Sequence, residues 1–140
     1  MIAYFDCFSG ISGDMTLGAF IDLGVPVKWL KENLARIPLT GFDVSADTIT
    51  RNGITAKSVH VRVEDDKSSR DYDHIRLLIE NSPLPLSVKQ MSHDIFERLA
   101  DAEAHIHGCS RDHVHFHEVG GIDAIVDIVG TALCINYLGI

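Results

Sequence analysis

The last twenty residues, GIDAIVDIVGTALCINYLGI, limit the possible folds more than any other stretch of this chain. Read as a helix, the segment is apolar on nearly every side, and such a helix is stable in water only when other elements surround it. It must be a core element. Asp123 and Asp127 interrupt its apolar surface one turn apart on the same face, where like charges repel and burial without a partner is costly or forces a proton on. Asp123 has a structural explanation, because the first turn of a helix stabilises an acid. Asp127 has no such explanation and points to a bound cation or a basic partner.

The elements that would surround this helix can be read upstream. Ile2 to Phe5 form a short continuous apolar run, the pattern of a strand buried on both faces. A helix is expected from about Asp14 to Leu23, ended by Gly24. A second follows Pro26, with Val27, Leu30 and Leu34 as its apolar stripe. Asn52-Gly53 between alternating segments predicts a β-hairpin with Val59, Val61 and Val63 facing the core. DYDHIRLLIEN predicts a short helix. A longer one has Ser87 and Gln90 at capping-box spacing, Gly108 at its C-terminus, and a core face of Val88, Met91, Ile95, Leu99, Ala102 and Ile106. HVHFHEV, residues 113 to 119, alternates like a strand. The expected fold is α+β, a small mixed sheet with helices packed against it, and residues 1–140 form a single domain with no internal repeat or linker. A chain of 140 residues needs no metal or disulfide staple to fold.

Five of the eight histidines fall between positions 105 and 117. On a strand, His113, His115 and His117 share one face while Val114 and Phe116 turn inward. Neighbours two apart lie about 6.6 Å from each other, close enough for two imidazoles to converge on one ion. His115 and His117 are the best ligand pair, with His113 and His107 as further candidates, and Glu103 shares a helix face with His107. Imidazoles with a carboxylate suit nickel or zinc better than magnesium. An isolated His-x-His on a solvated strand is more often structural, and a single Cys109 reads as a small buried residue.

DCFSGISGDM, residues 6 to 15, follows the first apolar run with two glycines, two serines and two acids. Ser9, Gly10, Ser12 and Gly13 could present backbone N–H groups and a helix N-terminus to a phosphate or carboxylate. The loop is not a P-loop, since GxxxxGK[ST] and its lysine are absent. Its bland reading is an N-cap at Ser12 or Asp14 beside a tight turn. Asp6 stands where a strand's carboxyl end exposes functional groups. If the last helix packs beside the first strand, a helix carboxylate should come within about 8 Å of this loop.

The net charge of -8 argues against nucleic acid as a partner and favours a cation. Three cysteines without a CxxC pair suit a reducing cytoplasm, and no apolar run approaches the roughly 18 residues of a membrane span. The chain is expected to be soluble and cytoplasmic.

FDCFSGISGDMTLGAFIDLG, residues 5 to 24, and VHFHEVGGIDAIVDIVG, residues 114 to 130, resemble the two signature segments of the nickel-insertion proteins of lactate racemase cofactor synthesis. Family members are much longer, and the resemblance covers about their N-terminal third. It implies a nickel chelatase, or cyclometallase, of the lyase class. Such an enzyme acts on pyridinium-3,5-bisthiocarboxylic acid mononucleotide and consumes CTP with Mg²⁺ or Mn²⁺. Matched to that chemistry, His115 and His117 would hold Ni²⁺ and Glu118 would accept a proton. The Ser9 to Asp14 loop would position the substrate phosphate, and Asp6, Asp14, Asp123 and Asp127 would hold a harder ion. The implied partners are a small-molecule nucleotide and the remaining C-terminal part of the enzyme, with a homo-oligomer left open. Two other readings stay open: a nickel store or carrier without catalysis, and a metal-dependent phosphohydrolase.

Overall fold

A computed structural model describes residues 1–64, 70–111, 114, 116 and 119–140. Among them the elements run α1 (Gly13–Asp22), α2 (Val27–Leu34), β1 (Phe42–Arg51), β2 (Ile54–Val63), α3 (Tyr72–Glu80), α4 (Leu86–His107) and α5 (Ile122–Leu138). The class is α+β. As its composition requires, α5 is the central helix: α1, α2 and α4 pack on it, and β2 touches it. Ile125, Val126 and Val129 are fully buried there, together with Leu17 of α1 and Leu30 and Leu34 of α2.

β1 and β2 pair antiparallel from Phe42 opposite Val63 to Arg51 opposite Ile54. Asn52 and Gly53 join them with φ of 51° and 80°, the left-handed pair that a two-residue hairpin turn demands. Val59 is buried, while Val61 and Val63 are half-buried. α1 lies directly on β2 because Gly18 has no side chain. A Cβ there would meet the Lys57 carbonyl oxygen at 2.4 Å.

Three sequence expectations need correction. Ile2 to Phe5 form no strand and are exposed, with Ile2 at 95% and Tyr4 at 88%. No strand lies beside them among the described residues, so the sheet there is the antiparallel hairpin alone and not a mixed sheet. The capping box also fails. Pro85 takes the N-cap position of α4, so Ser87 falls inside the first turn, where its hydroxyl donates to Asn136 Oδ1 at 2.7 Å, and Gln90 bonds to Asp94. Finally, the buried stripe of α4 is Val88, Ser92, Phe96 and Ala100, an unbroken i,i+4 ladder. Met91, Ile95 and Leu99 flank it half-buried, whereas Ala102 and Ile106 are exposed.

His113, His115, His117 and Glu118 lie outside the described residues, as does most of the strand expected at 113 to 119. Val114 and Phe116 are buried, as inward-facing residues should be. The Tyr72 N–H donates to the Val114 carbonyl at 3.4 Å, and the Phe116 ring sits between Tyr72 and Phe96 at centroid distances of 6.5 and 6.3 Å. Val114 and Phe116 are thus anchored between α3 and α4. No helix among the described residues is long and apolar enough to cross a membrane.

Candidate functional site

Packing α1 against α5 brings the two motif segments together at Asp127. This carboxylate lies where a side chain on Gly13 would be, since a Cβ at Gly13 would stand 2.2 Å from its Oδ2 and 2.4 Å from its Cβ. The glycine spacing of the loop therefore serves a close helix contact as well as a turn. Oδ1 of Asp127 is buried and has no hydrogen-bond partner among the described residues. Burial, then the charge of Asp14, then that of Asp123, push the Asp127 carboxyl from 3.8 up to about 6. Asp123 itself is exposed in the first turn of α5, the position that stabilises an acid without any ligand.

Ser12 is the N-cap residue of α1, but its hydroxyl caps no backbone N–H and instead donates to Asp14 Oδ1. Its carbonyl accepts from the Thr16 N–H at 3.0 Å and the Thr16 hydroxyl at 2.8 Å, which fixes the start of the helix. An anion approaching this N-terminus meets Asp14 and Asp127. A bare phosphate is disfavoured there, whereas a phosphate accompanied by a cation is not.

The same helix start opens into a cleft of about 680 Å³ between α1 and the distal half of the hairpin. Ser12, Asp14, Met15 and Asp22 line one side, and Arg51 and Lys57 supply positive charge from the other. Small-molecule sites are commonly of this size, roughly 300–1,000 Å³. Sequence reasoning missed Arg51 and Lys57, because only the tertiary contact of α1 with the hairpin brings them opposite the loop. It also missed His93, half-buried in a cleft between α3 and α4, whose imidazole burial holds below its ordinary value.

Asp6 and Ser9 are exposed, and Gly10 closes a turn with its N–H on the Cys7 carbonyl at 2.9 Å. Glu103 and His107 pair at 3.2 Å, as their spacing anticipates. Cys109 is exposed at the end of α4 and not buried, while Cys134 is fully buried in α5. Among the described residues, no three His, Cys, Asp or Glu side chains converge closely enough to hold a metal ion.

Asp127 should register in a stability measurement. Its folded-state pKa lies above the unfolded value of 3.8, so its stabilising contribution is complete below that value and is lost as pH rises through about 6. Asp127→Asn should therefore raise the unfolding free energy at pH 7 by about 1 kcal/mol, after allowing for solvent screening of a half-exposed carboxyl. Near pH 4 the difference should shrink. Urea titration at both pH values reads it, and no gain at pH 7 would show that the carboxylate is not strained.

Comparison with known proteins gives a consistent answer. The family model described as Nickel insertion protein matches residues 3–140. A protein named "Putative nickel insertion protein" from Geotalea uraniireducens is 52% identical over 141 aligned residues, covering 99% of this chain and 36% of that protein. Proteins of the same name from Geobacter sp. strain M21 and Wolinella succinogenes are 48% and 44% identical, with the same coverage. The chain thus spans about a third of the length of the curated relatives it matches. No solved structure matches it.

Proposed function

The chain belongs to the nickel insertion protein family, and from that premise we propose that it is the N-terminal part of a cytoplasmic cyclometallase. The enzyme inserts Ni²⁺ into pyridinium-3,5-bisthiocarboxylic acid mononucleotide at the expense of CTP and so forms the nickel-pincer cofactor of lactate racemase. The observation that carries this reading is the contact of Asp127 with Gly13. Two segments more than a hundred residues apart meet at one carboxylate whose buried oxygen has no hydrogen-bond partner among the described residues.

The reaction makes two nickel–sulfur bonds and one nickel–carbon bond and releases a proton from the ring carbon. Nickel is cargo here, so its ligands must bind it and then let it go. His115 and His117, with His113 and His107 nearby in sequence, supply borderline donors suited to that task. Glu118 is the proposed proton acceptor. Asp127 is a second candidate, because its surroundings already favour the protonated form at mildly acidic pH. The cleft lined by Ser12, Arg51 and Lys57 suits an anionic nucleotide. Magnesium or manganese would neutralise phosphate charge when bound. Such ions take one or two carboxylates plus phosphate oxygens, and Asp14 and Asp127 are donors of that kind.

Replacing His115 and His117 together by alanine should weaken Ni²⁺ binding at pH 7.5 at least tenfold, or about 1.4 kcal/mol, with the fold retained. Calorimetric titration measures it. Affinity should also decline between about pH 7.5 and 5.5, because only neutral imidazole ligates. A folded double variant with unchanged affinity would reduce the histidines to a solvated surface. Mass spectrometry of the nucleotide after incubation with the longer protein, Ni²⁺, Mg²⁺ and CTP tests the insertion itself. A nickel store would bind the ion and yield no nickelated product, and a phosphohydrolase would release phosphate from simple esters.

A further inference from the structure

Ile2 to Phe5 have the composition of a buried strand and the exposure of a surface loop. Continuous apolar runs of this type occur in parallel sheets covered on both faces. Here Phe5 rests edge-on against Phe20 at 6.0 Å, while Ile2 and Tyr4 on the opposite face are almost wholly exposed. Phe8, Ile11 and Met15, which follow in sequence, are exposed as well. Among the described residues, the backbone groups of residues 2 to 6 make no hydrogen bond.

The direction of the segment is fixed at both ends. The amino group of Met1 donates to the Gly139 carbonyl at 3.0 Å, at the C-terminal end of α5, and Gly13 lies against Asp127 in the first half of that helix. The chain between them therefore runs antiparallel to α5 overall. In the relatives, the part matched by this chain is N-terminal and covers 36% of the length, so further polypeptide follows the position of Ile140. That polypeptide leaves α5 beside Met1, at the start of the exposed run. A strand formed there would run alongside Ile2 to Phe5 in the same direction, with α5 as the crossover helix between parallel strands.

We infer that Ile2 to Phe5 are an unpaired strand whose partner is the polypeptide that follows Ile140 in the longer family members, added in parallel to complete a helix-backed sheet. A second copy of this chain fits less well. Two identical edges related by a two-fold axis pair antiparallel, and that pairing would turn the chain leaving α5 away from the strand it emerges beside.

Hydrogen–deuterium exchange tests the inference, comparing this chain with the full-length relative from Geotalea uraniireducens. The amides of Ile2 to Phe5 should exchange freely in this chain, and the equivalent amides should be protected at least a hundredfold in the relative. Equal, rapid exchange in both proteins would overturn it. So would protection in this chain that grows with protein concentration alongside a dimeric mass in sedimentation, since a second copy would then be the partner.

Discussion

Gly13→Ala is expected to destabilise the fold by about 2 kcal/mol. Small-to-large changes in a packed contact cost roughly 1–3 kcal/mol, and the higher helix propensity of alanine returns less than about 1 kcal/mol at the first position of a helix. The collision cannot be relieved by rotating a side chain. The new methyl would meet Oδ2 of Asp127 at 2.2 Å, but also its Cβ at 2.4 Å, an atom fixed to the backbone of α5. The two helices must separate, and Leu17 and Ile125, both fully buried nearby on α1 and α5, would lose packing. For a chain of this size the melting temperature should fall by roughly 6 °C. A double-mutant cycle gives the control. In an Asp127→Gly background the obstructing atoms are gone, so the cost of Gly13→Ala should drop below about 0.5 kcal/mol. A Gly13→Ala protein as stable as the parent, or an equal cost in both backgrounds, would mean that the Gly13 to Asp127 contact does not hold the motifs together.

That contact marks how far the sequence could be read. The oddity of Asp127 is visible from the sequence pattern alone, because an acid in the middle of a helix rich in isoleucine, valine and alanine has few harmless explanations. The hairpin was equally visible in Asn52-Gly53, whose conformation follows from the chemistry of the two residues. What escaped was whatever depends on a distant partner. Gly13 reads as a turn residue until α5 is known to lie against it, and Arg51 and Lys57 read as ordinary surface cations until α1 faces them across a cleft.

α4 shows a subtler limit. Choosing apolar residues at helical spacing favoured Ile95, Ala102 and Ile106, yet the helix buries Ser92 and Ala100 instead. A 22-residue helix extends about 33 Å, and its buried residues end at Ala100, so the apolar Ala102 and Ile106 nearer its end are exposed. The N-terminal run failed for the opposite reason. Its pattern is that of a strand suited to burial, but a strand is a property of a pair, and among the described residues no second strand lies beside it.

The isolated 140-residue chain is expected to give no nickelated nucleotide, a complete loss relative to the full-length family member. Metallating a ring carbon requires a desolvated nickel ion, an enclosed substrate and a proton acceptor held together. The cleft beside α1 is partly open to solvent, and among the described residues no three ligating side chains converge. Roughly two-thirds of the length of the relatives lies beyond the matched part, and the surface of Ile2, Tyr4 and Phe8 stands uncovered. On the function proposed above, the remaining polypeptide of the longer proteins supplies the rest of the site. Mass spectrometry after incubation with Ni²⁺, Mg²⁺, CTP and the bisthiocarboxylated nucleotide should show product with the full-length relative and none with this chain. Nickel binding by calorimetry on the same preparation separates an incomplete site from a misfolded one. Product formed by the isolated chain at a rate comparable to that of the longer protein would place the whole of the chemistry within these 140 residues.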